Sequence, residues 1–392
     1  MLIKNAKKWN RDIVLLIIAL AVLAFTFFRM PRNKIKSAPV TILTFTHSWE
    51  GREGLLNELK AGFEEQNSGI KIELQFLPYD RLAEILRKAG QSDPEFALPG
   101  QIIAVDKRGL SELRNNDSIE TEIFPLLRFY NPLFYNTEIL SVAGFNRPPK
   151  TRTEFLAMAK QIADPQTGIY AVAFALDNHR GITRDICGWI WASGILLENS
   201  GQVSQRDITA LESVLEFLTT LEKEKLILPD MFNINEDEKR ESFIEGKIAF
   251  YIGSAQDLEM LFSAMGNKLG FTAIPAPDTY IGKPLFGSDS WNLVIPKTAH
   301  TAEAALFARY LSEHNYLLAK NWAIIAEAME YSAEMFYEKA AELYISGELI
   351  DDFTEIPMRT AETIIIEEIK KLFDETQNAG ETAKNIFNHL TR

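Results

Sequence analysis

The stretch that decides the fold is Val40–Phe76, VTILTFTHSWEGREGLLNELKAGFEEQNSGIKIELQF. Val40, Ile42, Leu43 and Phe45 form a short run rich in β-branched and aromatic residues that ends in His47-Ser48-Trp49-Glu50-Gly51, the pattern of a buried strand. Leu55, Leu56, Leu59 and Phe63 then recur at helical spacing opposite Glu58, Lys60 and Glu64, and Asn67-Ser68-Gly69 stops the helix. Ile70, Ile72, Leu74 and Phe76 alternate with Lys71, Glu73 and Gln75, the period of a strand with one buried face. Such a strand-helix-strand unit crosses over right-handed into a parallel sheet, and open parallel sheets bind ligands beyond the carboxyl ends of their strands. That rule makes His47, Trp49 and Glu50 candidates for a binding edge. The competing reading of Trp49 is a lid packed over the core.

Working outward, 392 residues exceed what one core usually fills, so two domains are expected. The formal charge of −13 is uneven: Met1–Lys36 carries eight Lys/Arg against Asp12 alone, which leaves the rest of the chain near −20. A body that acidic is a poor match for nucleic acid, whose phosphates need clustered cations. Cys187 is the only cysteine, so no intrachain disulfide forms, and its apolar neighbours in ICGWIW favour a buried, inert thiol. His47, His179, His300, His314 and His389 lack metal-ligand spacing, and neither a nucleophile elbow nor a Gly-rich phosphate loop occurs. No metal, no cofactor and no catalytic set is expected.

Ile13–Phe28 is an uncharged run of sixteen residues, preceded by Lys4, Lys7, Lys8 and Arg11. As a helix it spans about 24 Å, slightly short of a hydrocarbon core of about 30 Å. The run leads into Arg29-Met30-Pro31-Arg32 rather than a small-residue cleavage site, and no cysteine is placed to take a lipid. An uncleaved anchor is therefore favoured over a removed signal. Because Arg29, Arg32, Lys34 and Lys36 balance the basic residues before the run, the positive-inside rule gives no orientation.

Further along, Leu82–Lys88 reads as a helix, and Gln101–Val105 as a strand ending in Asp106-Lys107-Arg108-Gly109. The edge rule brings in Asp106 and Lys107, against the plainer reading of solvated loop charges. Leu126–Tyr135, punctuated by Pro125 and Pro132, is an extended aromatic segment of the kind that crosses between domains. Ile169–Leu176 reads as a strand, Trp189 and Trp191 come next in an apolar segment where core packing is the default, and Ile208–Leu221 is an amphipathic helix. Ile248–Ile252 is a buried strand running into Gly253-Ser254-Ala255-Gln256, a turn small enough to bring backbone against a ligand, or simply tight. Leu269–Ile274 and Asn292–Ile295 read as strands joined by the loop Pro275–Trp291, which holds Gly287-Ser288-Asp289-Ser290-Trp291. From Thr301 onward the pattern is helical.

In their order, ILTFTHSWEG, FEEQNSGIKIELQFLPYDRL, IIAVDKRGLSEL, NPLFYNTEIL, PPKTRTEFLAMAKQI, GIYAVAFAL, FIEGKIAFYIGS, GFTAIPAP and GSDSWNLVIPK give the chain its likeness: from about Val40 to the C-terminus it resembles the extracellular solute-binding proteins of ABC importers, the maltose-binding type or family 1. The resemblance implies an α/β, two-lobed periplasmic-binding-protein fold of type II, with discontinuous lobes joined by hinge segments and, here, an N-terminal membrane helix or signal anchor before them. Carried onto this chain it implies an anchor at 1–36, a first lobe at 37–130 and 274–315, and a second at 131–273 and 316–392. It also implies ligand contacts from His47, Trp49 and Glu50, from Asp106 and Lys107, from the loop at Trp189–Trp191, from Ser254 and Gln256, and from Asp289, Ser290 and Trp291. Two departures stand out: Ala255 replaces the aromatic that many sugar binders carry after the small-residue turn, and AIIAEAMEYS comes after Trp322 in place of Gly-x-x-Pro.

The implied function is that of a receptor rather than an enzyme, holding a small solute, a carbohydrate by preference, for the permease subunits of an ABC importer at the extracytoplasmic face, with residues 13–28 as its tether. A sensory or structural module on the same fold is the alternative, and it fits Ala255 and the anchor as well.

Overall fold

The computed structural model describes residues 40–91, 97–116, 118–177, 181–197, 204–297, 300–318, 332–350 and 358–390. The predicted anchor at Ile13–Phe28, Trp322 and the segment after it lie outside the described residues. Among those described, no helix is long and apolar enough to cross a membrane.

The opening unit folds as its pattern requires. Strand β1 (Thr41–His47) and β2 (Ile70–Phe76) run parallel, with Thr41 opposite Ile70 and His47 opposite Phe76, and helix α1 (Glu53–Gln66) connects them. Leu43, Phe45 and Ile72 bury their side chains under Leu56, Leu59 and Phe63 of α1. Phe307 of the later helix α10 (Thr301–Glu313) meets Phe45 at 5.7 Å and Phe63 at 4.9 Å between centroids, both near edge-on. Each such ring is worth about 1.5–3 kcal/mol of burial, so the unit is fixed by its aromatic core.

Two sheets define two halves. The larger has the order β10 (Glu348–Ile350), β9 (Leu285–Pro296), β3 (Ile102–Asp106), β1, β2, with β4 (Thr121–Tyr130) also on β9; the smaller has the order β6 (Tyr170–Val172), β7 (Ile248–Ile252), β5 (Leu133–Asn136), β8 (Leu269–Thr272). Strand β3 (Ile102–Asp106) lies parallel to β1 and feeds α3 (Lys107–Arg114), while helix α2 (Tyr79–Gly90) packs on α3. Strands β4 (Thr121–Tyr130) and β9 (Leu285–Pro296) pair antiparallel along their length, Tyr130 opposite Ser288. The chain leaves the larger sheet at Tyr130 and enters the smaller one at β5 (Leu133–Asn136), so Asn131-Pro132 is a crossing point. In the smaller sheet β5 lies between β7 (Ile248–Ile252) and β8 (Leu269–Thr272), with β6 (Tyr170–Val172) parallel to β7.

Three helices beyond the sheets matter for the cleft: α8 (Glu236–Ile244), α9 (Leu258–Met265) and, late in the chain, α12 (Met358–Phe373). Ala361, Ile365 and Ile369 of α12 join the large core of the second half, although β10 (Glu348–Ile350), just before it in sequence, pairs with β9 of the larger sheet.

One sequence expectation is corrected here. Gly287–Trp291 does not lie in a loop but within β9, which is 12 residues long. Gly, Ser and Asp are weak strand formers, yet the register with β4, Ser290 opposite Arg128 and Asp289 opposite Phe129, overrides that preference. The strand expected over Ile169–Leu176 is likewise shorter, covering Tyr170–Val172.

Candidate interlobe binding site

A cavity of about 140 Å³ lies where the two halves face each other. Tyr79, Asp106, Lys107 and Arg108 wall it from the first half, Asp289, Ser290 and Trp291 from β9, and Thr183, Arg184, Gln256 and Met358 from the second. The strand ends explain much of this placement. Strand β3 stops at Asp106, whose Oδ1 caps α3 by accepting from the Gly109 amide at 2.8 Å, while its Oδ2 accepts from the Tyr79 hydroxyl at 2.7 Å. Lys107 Nζ donates to the carbonyl and hydroxyl of Ser288 at 3.2 and 3.3 Å, tying α3 to β9.

His47 and Trp49 stand behind the wall rather than in it. Trp49 is 3% exposed, with its ring against Phe45 at 5.8 Å and against Trp291 at 5.6 Å and 88°. His47 is buried beside it, and its Nδ1 accepts from the Trp49 amide at 3.3 Å. Burial holds this imidazole below its ordinary pKa, against an upward pull from Glu53, which suits a ring that accepts. Of the two readings of Trp49, the structure gives the one that packs over the core: it meets Trp291 edge-to-face and helps to orient it, while Trp291 lines the cavity. Glu50 is exposed in the turn and does not line the cavity.

The second half contributes differently from what was expected. Trp189 and Trp191 do not sit in a ligand loop; they belong to helix Cys187–Trp191 and are buried in the second core. Trp189 packs on Phe155 at 5.0 Å and Phe217 at 5.0 Å, and Trp191 lies so close to β9 that a Cβ on Gly287 would come within 2.5 Å of its ring. Ser254 is fully buried, capping the turn Ala255–Asp257 through the Gln256 amide at 3.4 Å, so only Gln256 of that pair reaches the cavity. Gln256 Oε1 accepts from Trp291 Nε1 at 3.4 Å, across the two halves.

Residues that the sequence reading missed complete the charge network around the cavity. Arg184, in the π-helical turn Ile182–Ile186, donates to Asp289 at 2.7 Å and to Glu236 at 3.1 Å. Burial alone would lower its pKa, but Asp289 and Glu236 outweigh that and hold it well above the ordinary value. Its Nε is buried without a hydrogen-bond partner among the described residues. Glu362 of α12 is buried and accepts from Arg108 Nη2 at 2.6 Å, with the Thr183 hydroxyl at 3.4 Å. Lys107, Arg108 and Arg184 are thus offset by Asp106, Asp289, Glu362 and Glu236, and no strong net charge faces the cavity. Tyr79 comes just after the end of β2 and obeys the same edge rule as Trp49; Arg184, Met358 and Glu362 carry no local signal.

Two α/β halves, strand crossings between them and a polar cavity at the crossing define a two-lobed binding protein. Residues 49–315 match the model of the family described as bacterial extracellular solute-binding protein, and the chain belongs to that family. A curated relative, a probable ABC transporter-binding protein from Deinococcus radiodurans, is 28% identical over 197 residues, 46% of this chain; the alignment covers 44% of that protein's own length. Among solved structures, the cyclic α-maltosyl-1,6-maltose binding protein from Arthrobacter globiformis superposes with a TM-score of 0.68 at 14% identity, covering 90% of this chain and 98% of that one. A solute-binding protein from Thermotoga lettingae bound with α-D-tagatose superposes with a TM-score of 0.65 at 18% identity, covering 90% and 99%. These likenesses show the fold; the family makes the body an extracellular solute-binding protein.

Proposed function

We propose that this protein captures a small, uncharged carbohydrate in the interlobe cavity and presents the closed form to the permease subunits of an ABC importer, held at the membrane by residues 13–28. The lobes would be 37–130 with 274–315 and 131–273 with 316–392. The observation that carries the reading is the cavity itself, walled from both halves and lined by two aromatic residues, Tyr79 and Trp291, among Asp106, Thr183, Arg184, Gln256 and Ser290. An aromatic face offers apolar area to the C–H side of a sugar ring, and the surrounding donors and acceptors pair with its hydroxyls once water has left. A wrong solute leaves such groups unpaired at about 1–3 kcal/mol each.

The mechanism rests on where the contacts come from. Gln256 and Arg184 reach Trp291 and Asp289 only when the halves meet, so a solute that bridges them favours the closed population. A tether holds the receptor near its permease and raises its effective concentration there. No cofactor, metal or catalytic role is assigned to any residue, and hydrolysis is not part of the reading. The test is a thermal-shift screen of the full chain in detergent against sugars, polyols, polyamines and glycerol phosphates. A rise in Tm that obeys mass action for one class of carbohydrate is expected. No rise for any compound would overturn the proposal.

A further inference from the structure

Resting on that reading, we infer that the cleft takes a single sugar ring or an open-chain hexitol and rejects longer saccharides, because contacts between the halves close it at both ends. The cavity of about 140 Å³ lies below the roughly 300–1,000 Å³ of pockets that hold drug-sized ligands. Two sets of contacts between the halves extend from its lining residues Gln256, Trp291, Arg108 and Met358.

On one side, Trp291 Nε1 meets Gln256 at 3.4 Å, and three residues beyond Gln256 the carboxylate of Glu259 pairs with Arg52 at 3.3 Å. Arg52 precedes α1 of the first half, whereas Glu259 begins α9 of the second. On the other side α3 meets α12 through a seam of three contacts. Arg108 pairs with Glu362 at 2.6 Å, Arg359 with Glu112 at 2.6 Å, and the Met358 amide donates to Ser111 Oγ at 3.0 Å. A second ring would have to displace the Trp291–Gln256 contact on one side or the Arg108–Glu362 pair on the other, and the latter would leave the fully buried Glu362 without its cation. A single ring needs only the hydroxyl partners already among the lining residues, Tyr79, Asp106, Thr183, Gln256 and Ser290. The charge balance of the wall points the same way, since neither a uronate nor an amine would find a surplus of opposite charge.

The experiment measures Trp fluorescence and calorimetric affinity of the full chain in detergent, with hexoses, pentoses and hexitols on one arm and tri- and tetrasaccharides on the other. The expected result is that the best single-ring sugar or hexitol binds at least about tenfold more tightly than any trisaccharide, the ratio that one unpaired buried group imposes. Arg52→Ala and Arg359→Ala, at partly exposed positions outside the cores, each open one end and should shrink that ratio severalfold, while any cost in closure lowers hexose and trisaccharide affinity alike and leaves the ratio untouched. A trisaccharide that binds the unmodified protein as tightly as every smaller compound overturns the inference and leaves the receptor reading standing. Silence from all compounds overturns the receptor reading itself. Discrimination that survives in both variants unchanged overturns the assignment of the two seams as end stops.

Discussion

Two sets of ion pairs flank the cleft, and they differ in how far they are from water. In the second half, Lys239 is fully buried and donates to both oxygens of Asp185 at 2.8 and 2.9 Å, to Glu236 at 3.1 Å and to the Ile252 carbonyl at 3.1 Å. Asp185 also accepts from the Ala175 amide at 2.7 Å, and Glu236 passes the network on to Arg184 and so to Asp289 at the cavity. At the rim, Arg52 and Glu259 make one contact with side chains 22% and 31% exposed. The same chemistry has different consequences in the two places. A desolvated cluster must be complete, because a missing partner leaves a bare charge, whereas a rim pair exchanges with water at little cost.

The comparison is broken most directly at Lys239. Lys239→Met removes the cation and leaves Asp185 and Glu236 facing each other in the core, so a loss of about 3–5 kcal/mol in urea unfolding is expected. A loss below about 1 kcal/mol would mean that water reaches the cluster and that the contrast with the rim is false.

The next effect is a pH dependence. Burial pushes the Asp185 carboxyl up, with Glu236 adding to the shift and Lys239 and the Ala175 amide opposing it, to about 7 from 3.8. A folded-state value above the unfolded one means that the native protein holds this proton more firmly between about pH 4 and 7. This group therefore contributes stability below that window, and the contribution is lost as pH rises through it. Asp185→Asn should remove the slope, seen as a difference of about 3 kcal/mol between the two proteins' stability changes from pH 4 to 7. Parallel profiles would sink this account. Taking the difference matters because carboxylates held low by their partners, such as Glu368 beside Lys371, give the opposite slope in both proteins.

Smaller still is the effect of Trp291→Phe, which keeps a ring against Trp49 but deletes the donor to Gln256. A loss of about 0.5–1.5 kcal/mol in solute affinity with little change in Tm is expected from calorimetry. A larger fall in Tm than in affinity would place Trp291 in the core with Trp49.

The difference between buried cluster and rim also marks what the sequence made legible. The β1-α1-β2 unit is readable because its periods are local; the rule of strand ends leads to Asp106, Lys107 and the turn holding Gln256, and the family resemblance adds Asp289, Ser290 and Trp291, all of which line the cavity. The same rule covered Tyr79 after β2. It led equally to His47 and Trp49, which lie one layer behind, since a strand end says where a side chain starts and not whether a neighbour covers it. Trp189 and Trp191 packed into the core, as their apolar neighbours allowed. Arg184, Glu236 and Lys239 were not legible: single charges in helical segments carry no local mark, and only the fold brings residues 184, 236 and 289 together. Glu362 lies 254 residues from Arg108, a separation that no spacing argument spans.

The rim gives the smallest effect and the sharpest separation of roles. Arg52→Ala deletes a pair between two partly exposed side chains, so its cost to unfolding should lie within about 0–1 kcal/mol. What the pair joins is α1 of one half to α9 of the other, and that contact exists only while the halves are together. The substitution therefore acts on the equilibrium between open and closed forms, where even a few tenths of a kcal/mol change the populations measurably. Small-angle scattering of the solute-free protein should show a larger radius of gyration for Arg52→Ala, with the difference vanishing at saturating solute. An identical radius in both states would assign Arg52 to the surface alone, and would leave Arg184–Asp289 and the α3–α12 seam as the contacts that hold the halves together.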